Sequence, residues 1–187
     1  MTNAQPETPE LHPGARRIVR LRGLEPDAKA EVAIDHWQRL TDDDPYPSLD
    51  ALPVLVSIER AEADAETLRA RSGPWGVWLR GDDEVEAVAE RVRGLPVVAI
   101  EVPKFTDGRH FSLARLLRDR YGFAGELRAF GDVLPDQLFY MRRCGYTAFE
   151  LAPGKSLDTA LRTLEAFSVS YQGAADERRP LYRRREI

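Results

Sequence analysis

Two short runs gather the residue types from which a reaction or a binding site could be built. The first is Pro103-Lys104-Phe105-Thr106-Asp107-Gly108-Arg109, and the second is Gly131-Asp132 leading into Pro135-Asp136-Gln137. Lys104 and Arg109 flank an Asp-Gly turn, so two cations and a carboxylate share one short loop. Cations so placed hold an oxyanion through charge-assisted hydrogen bonds of about 1.5–3 kcal/mol each. Asp107 and Asp132 are the carboxylates that would orient those cations or move a proton. Arg128, just before the second run, and Gln137 within it complete a ligand-binding set, and the backbone N–H groups of the following helices would add to it. The same residues also read as structure. Asp107-Gly108 is then a plain turn and Asp132 a helix cap. Glu101 with Arg128 becomes a buried ion pair between adjacent strands, because a charge in a covered strand needs a partner.

Other chemistries find little support. Cys144 is the single cysteine, which excludes an intramolecular disulfide and an all-cysteine cluster. It has Arg142 and Arg143 beside it, which would lower its pKa, but it also fits the buried side of a helix as plain packing. Three histidines, at 12, 36 and 110, are too scattered for a histidine-rich metal site. His110 has no serine or cysteine at a nucleophile motif to serve. Neither G-x-G-x-x-G nor a P-loop occurs, so no nicotinamide, nucleotide or other cofactor is identified from the residues.

The elements that must carry the two runs follow from the periodicity. Apolar runs Val54–Ile58, Gly76–Leu79, Val97–Val102, Leu127–Phe130 and Ala148–Leu151 read as strands. Their starts at 54, 76, 97, 127 and 148 are 22, 21, 30 and 21 residues apart. Helical stripes lie between them: Val85, Val88, Ala89 and Val92; then Leu113, Leu116, Leu117 and Tyr121, with Gly122 as a stop. Leu134, Leu138 and Met141 mark another, with Pro135 in its first turn and Gly145 beyond its end. Leu157, Ala160, Leu161 and Leu164 follow Ser156 as the last. Such alternation predicts an α/β fold of about five βα units with a mainly parallel sheet, either open and doubly wound or a partial barrel. Ahead of it Arg16–Leu21 reads as a short strand, with Val32–Leu40 as its hairpin partner or a short helix. The predicted organisation is a tail over 1–14, a single α/β domain over 15–172, and an arginine-rich tail over 173–187. In a parallel fold ligands gather at the carboxyl ends of the strands, where both polar runs fall.

Charge narrows the function classes. The chain has 187 residues, 27 basic and 31 acidic, for a net −4, which argues against a nucleic-acid binder. Lys29, Lys104 and Lys155 are the only lysines, so 27 − 3 = 24 of the cations are arginines. Five of these, Arg178, Arg179, Arg183, Arg184 and Arg185, surround Leu181 and Tyr182 in the last segment, a pattern suited to docking on a partner or on the chain itself. No apolar run approaches the roughly 18 residues of a membrane span, and the first residues lack an export signal, so a cytoplasmic protein is expected.

Residue chemistry alone does not name a reaction. Several stretches, however, carry a resemblance: Phe105-Thr106-Asp107-Gly108-Arg109, Ser112-Leu113-Ala114-Arg115-Leu116-Leu117-Arg118, Gly125-Glu126-Leu127-Arg128-Ala129, Gly131-Asp132-Val133-Leu134, Asp136-Gln137-Leu138, Arg143-Cys144-Gly145, Phe167-Ser168-Val169 and Tyr171-Gln172. Together they resemble the domain of unknown function 934 family, bacterial proteins described as oxidoreductases involved in sulfite reduction. The resemblance spans approximately Arg16 to Gln172 and is densest from Pro103 to Phe149. It implies an accessory of assimilatory sulfite and sulfate reduction that supports electron delivery, with sulfite reductase or its electron donor as partner. Two positions depart from the family pattern: His110 where glycine is usual, and Pro135 where a larger or charged residue is. The reductase itself is excluded, since siroheme and iron–sulfur chemistry needs ligands this chain lacks. The alternative is an independent α/β enzyme or binding protein for a small anionic metabolite.

Overall fold

The computed structural model describes residues 16–47 and 51–184. The tail expected over 1–14 lies outside the described residues. Eight strands form one sheet: β1 (Arg16–Leu21), β2 (Ala30–Asp35), β3 (Gln38–Arg39), β4 (Val54–Ser57), β5 (Trp75–Leu79), β6 (Val97–Val102), β7 (Glu126–Gly131) and β8 (Ala148–Phe149). Helices α1 (Ile58–Ala63) and α2 (Ala65–Ala70) follow β4, α3 (Val85–Val92) follows β5, and α4 (Arg109–Asp119) follows β6. A 3-10 turn (Pro135–Gln137) and α5 (Leu138–Cys144) follow β7; α6 (Leu157–Leu164) and α7 (Leu181–Arg184) follow β8. Local signals account for several ends. The Ser57 and Ser156 hydroxyls cap α1 and α6, and Gly145 stops α5 in the left-handed region at φ +107°.

The strand order is β2-β1-β8-β7-β6-β5-β4-β3. Strands β3 to β8 are parallel and lie in chain order, while β1 pairs antiparallel with both β2 and β8. A doubly wound sheet needs a reversal of strand order. None occurs between β3 and β8, so every crossover steps the same way, and the sheet is a curled partial barrel. Its two edges show how strong the curl is. The edge strand β2 ends at Asp35 and the opposite edge strand β3 begins at Gln38. Three Cα–Cα steps reach at most about 11 Å. The edges therefore meet there, and one stretch, 30–39, pairs with β1 by its first part and with β4 by its last.

The outer face of the sheet is apolar. Val77, Leu79, Val98, Ile100, Val102, Leu127, Ala129 and Phe149 pack against Val88, Val92, Leu113, Leu117, Leu138, Met141 and Leu164 of the helices. The inner face is mixed. Leu55, Val97, Ala99 and Phe130 cluster there with Trp37 and Trp78. Register aligns Ser57, Trp78, Ala99, Arg128, Ala148 and Arg20 in one inner row. Arg128, between two alanines in that row, is 1% exposed. It donates to Asp35 Oδ2 at 2.5 Å and to Glu126 Oε1 at 2.6 and 2.9 Å. Arg20 holds the other Glu126 oxygen at 2.9 Å, and the Trp37 N–H donates to Asp35 Oδ1 at 3.2 Å.

The ion pair read between Glu101 and Arg128 is not formed. Register sets Glu101 opposite Phe130 and Arg128 opposite Ala99, so the guanidinium turns to Asp35 and Glu126 instead.

Removing Asp35 leaves Arg128 buried with a carboxylate it must share with Arg20. Asp35→Ala should lower the unfolding free energy by about 3 kcal/mol or more, read from the urea midpoint. The double variant Asp35→Ala/Arg128→Met should recover much of that loss. A single-variant loss below about 1 kcal/mol would mean that the pair does not hold the curl.

Candidate functional site

Because β6 and β7 are adjacent and parallel, the loops that follow them leave the same edge of the sheet. Gly131 makes the second loop's entry possible. It has φ +97°, and a Cβ there would lie 2.5 Å from the Val102 carbonyl oxygen. The Asp132 N–H donates to that same carbonyl at 2.7 Å. Its carboxylate reaches across and accepts the Phe105 N–H at 2.9 Å, while Gln137 Nε2 donates to the Phe105 carbonyl at 2.7 Å. Asp132 and Gln137 thus grip the backbone of the first loop at one residue, whose ring is left half exposed. The residue that caps the 3-10 turn is Leu134, not Asp132.

Arg109 and Asp107 are joined in a second knot. Arg109 donates Nε and Nη2 to Asp107 at 3.0 and 2.6 Å, and Nη1 to Asp82 at 2.8 Å. Hydrogen bonds from the Arg109 side chain and N–H hold the Asp107 carboxyl down at about 2, and the carboxylates raise the Arg109 pKa in turn. Beside them lies a recess of about 250 Å³ lined by Asp82, Asp83, Glu84 and Glu86 against Arg109 alone. Four carboxylates around one guanidinium repel an anion at that recess. The Lys104 side chain is exposed and has no partner among the described residues. The structure therefore brings Asp107 to Arg109, and Asp132 to Gln137 through Phe105. Arg128 sits apart, inside the curled sheet.

A further set of polar groups occupies the inner face near the carboxyl ends of the strands. Arg16 holds Glu150 with both oxygens, at 2.7 and 2.8 Å, and Arg39 joins at 3.0 Å. The Arg39 guanidinium lies 3.9 Å from the Phe130 ring centroid, and Trp78 meets that ring edge-on at 6.4 Å. Glu101, opposite Phe130, is half-buried and has no partner among the described residues. Ser57 donates to Asp42 at 2.6 Å. Glu101 was visible in the sequence as a charge in an apolar run. Arg16 and Arg39 gave no such signal, since only the curl brings their segment to this face. Among the described residues no group of three or more His, Cys, Asp or Glu is placed to hold a metal ion.

His110 falls in the first turn of α4, 1% exposed, with no positive φ. The Tyr146 hydroxyl donates to the His110 carbonyl at 3.1 Å and lies 3.1 Å from Nδ1. With its proton on the carbonyl, the hydroxyl accepts from Nδ1–H, and the buried Nε2 has no partner among the described residues. Burial lowers the His110 pKa to about 4. The ring is neutral at physiological pH and packs the fold. The Cys144 thiol is likewise buried, and burial pushes its pKa up rather than down.

A folded pKa of about 4 against 6.5 for the free imidazole means that between those values only the unfolded chain takes up the proton. Stability from this residue is full above pH 6.5 and is lost as pH falls toward 4, by up to about 3 kcal/mol. Urea unfolding across that window should show the slope in the parent protein and a much flatter one in His110→Gln. Equal slopes would mean that the ring is protonated in the fold.

No curated protein and no solved structure matches the chain. The family model described as bacterial protein of unknown function (DUF934) matches residues 76–182. The match takes in both polar loops and runs past Gln172 into the arginine-rich segment, and it leaves out Arg16, Asp35 and Arg39. Covering more than half of the chain and the loops that tie its sheet edge together, it makes the protein a member of the DUF934 family.

Proposed function

We propose that this protein is a cytoplasmic accessory of assimilatory sulfite reduction that supports electron delivery by docking on sulfite reductase or on the reductase's electron donor. The pathway rests on the resemblance carried by the two loops and the segments around them. The mode of action rests on one observation, the aromatic side chains left exposed along the C-terminal segment. Phe167, Tyr171 and Tyr182 are 65%, 62% and 58% exposed, and Tyr140 on α5 is 57% exposed. Arg178, Arg179, Arg183 and Arg184 accompany them. Aromatic and arginine side chains are the types enriched where protein surfaces meet, and these suit an acidic partner. In this reading the five βα units from β4 onward, with the β1–β2 hairpin, form the platform that carries the face.

A second reading, binding of a small anionic metabolite, is favoured by Lys104, a loop cation that no carboxylate among the described residues neutralises. In it Lys104 holds the anion next to Arg109, which Asp107 orients.

Deleting the gene should abolish growth on sulfate or sulfite and leave growth on cysteine intact. A Tyr171→Asp/Tyr182→Asp variant should fold normally, fail to restore growth, and lose co-purification with the reductase or its donor. Wild-type growth of the deletion strain on sulfite would overturn the assignment. For the second reading, Arg109→Ala should cost under about 1 kcal/mol of stability, since its ion pairs are exposed. If both Lys104→Ala and Arg109→Ala restore growth fully, no anion is held at that loop.

A further inference from the structure

A cavity of about 510 Å³ lies in the helix layer, between α4, α5 and the C-terminal segment. Its walls come from three segments. Phe111, Ser112 and Arg115 lie on one side of α4; Tyr140, Arg143 and Cys144 follow i, i+3, i+4 spacing on α5; Gln172, Gly173 and Ala174 close it. The closing segment is held firmly. The Ala175 N–H donates to the Arg143 carbonyl at 3.0 Å, and the Arg143 guanidinium reaches Asp176 at 3.2 Å and the Gln172 carbonyl. The volume falls within the roughly 300–1,000 Å³ of small-molecule sites.

The lining has a definite chemistry. Phe111 and Tyr140 form an aromatic wall, with ring centroids 4.9 Å apart and planes at 68°. Arg115 and Arg143 line the cavity and no carboxylate does; Asp119 and Asp176, which bind those two arginines, are not among its walls. Arg115 is fixed by Nε on Asp119 and by Nη1 on the Arg143 carbonyl at 3.3 Å, which leaves its Nη2 without a partner among the described residues. The Ser112 hydroxyl beside it also has none.

We infer that this cavity binds a planar aromatic group bearing an anionic substituent, with the ring against Phe111 and Tyr140 and the anion on Arg115 and Ser112. A flavin phosphate and an adenine nucleotide share that chemistry, and the test separates them. The inference goes beyond the docking reading and shares Tyr140 with it, since that ring borders both the cavity and the exposed face.

The experiment titrates the full chain with flavin mononucleotide and with adenosine monophosphate, with riboflavin, adenosine and inorganic phosphate as partial probes. One of the two phosphates should bind with Kd below about 1 mM, and its uncharged counterpart and inorganic phosphate at least about tenfold more weakly. Arg115→Gln should weaken the phosphate-bearing probe about tenfold or more and leave the uncharged one unchanged. Ser112→Trp, made from an exposed position that lines the cavity, should fill it and abolish binding with the fold intact by circular dichroism. This second variant decides the question if Arg115→Gln does not fold. Failure of both nucleotides to bind, or binding untouched in Ser112→Trp, would overturn the inference.

Discussion

The stretch from Ala30 to Arg39 belongs to both edges of the sheet, and the rest of the architecture depends on that. Its first part pairs with β1, its last part pairs with β4, and two residues join them. A parallel sheet whose crossovers all step one way is free to curl, and this stretch prevents it from opening again. The curl turns one face inward, where Ala99 and Ala148 leave a gap in the row around Arg128. The joining stretch delivers Asp35 to that gap. One buried guanidinium then links β2 and β7, and Glu126 extends the link to Arg20 on β1. A slip of one residue in β7 would carry Arg128 to the outer face, among the apolar side chains of the helices, so the pair opposes misregister more than it adds stability.

The same one-way winding decides what the polar loops do. Placed side by side at one edge, they have each other as the nearest hydrogen-bonding partners. Asp132 and Gln137 use theirs on the Phe105 backbone, and Arg109 uses its on Asp107 and Asp82. A carboxylate that already accepts from a guanidinium is a weak base, as the low Asp107 pKa shows. Among the described residues, the side chains left without a partner there are Lys104 and Asp136 on the loops and Glu101 on the inner face.

The strand–helix alternation from Val54 to Leu164 was legible because each element buries an apolar run of the right period. The expected strand starts at 76 and 127 fall one residue inside β5 and β7, and those at 54, 97 and 148 coincide with β4, β6 and β8. The closure was not legible. Ala30-Glu31-Val32-Ala33-Ile34-Asp35 is half-buried throughout most of its length, so its apolar period is weak, and no local signal shows a strand continuing to a second partner. The Glu101–Arg128 pairing failed for a related reason. Both lie in adjacent strands and on one face, but register offsets them by two positions, and register comes from the whole sheet. The loops showed which groups were polar, but their partners were set by tertiary proximity: Asp82 lies 27 residues before Arg109 in the chain.

The C-terminal segment shows how one buried cation can organise a surface. Arg143 is 9% exposed on α5, and an arginine so covered requires acceptors. It finds them in the Gln172 carbonyl and Asp176, while its own carbonyl accepts from Ala175 and Arg115. The three contacts to Gln172, Ala175 and Asp176 fasten a segment that has little regular structure of its own, and the one from Arg115 ties α5 to α4. Farther along, the Leu181 N–H donates to the Tyr171 carbonyl at 2.9 Å, which sets the Tyr171 and Tyr182 rings 6.5 Å apart. Rings held this way remain in solvent rather than folding into the core. An exposed aromatic face already fixed in place loses less conformational freedom on meeting a partner than a loose tail would. The ordering of the face is therefore provided in advance by α5, through a residue that lies beneath it.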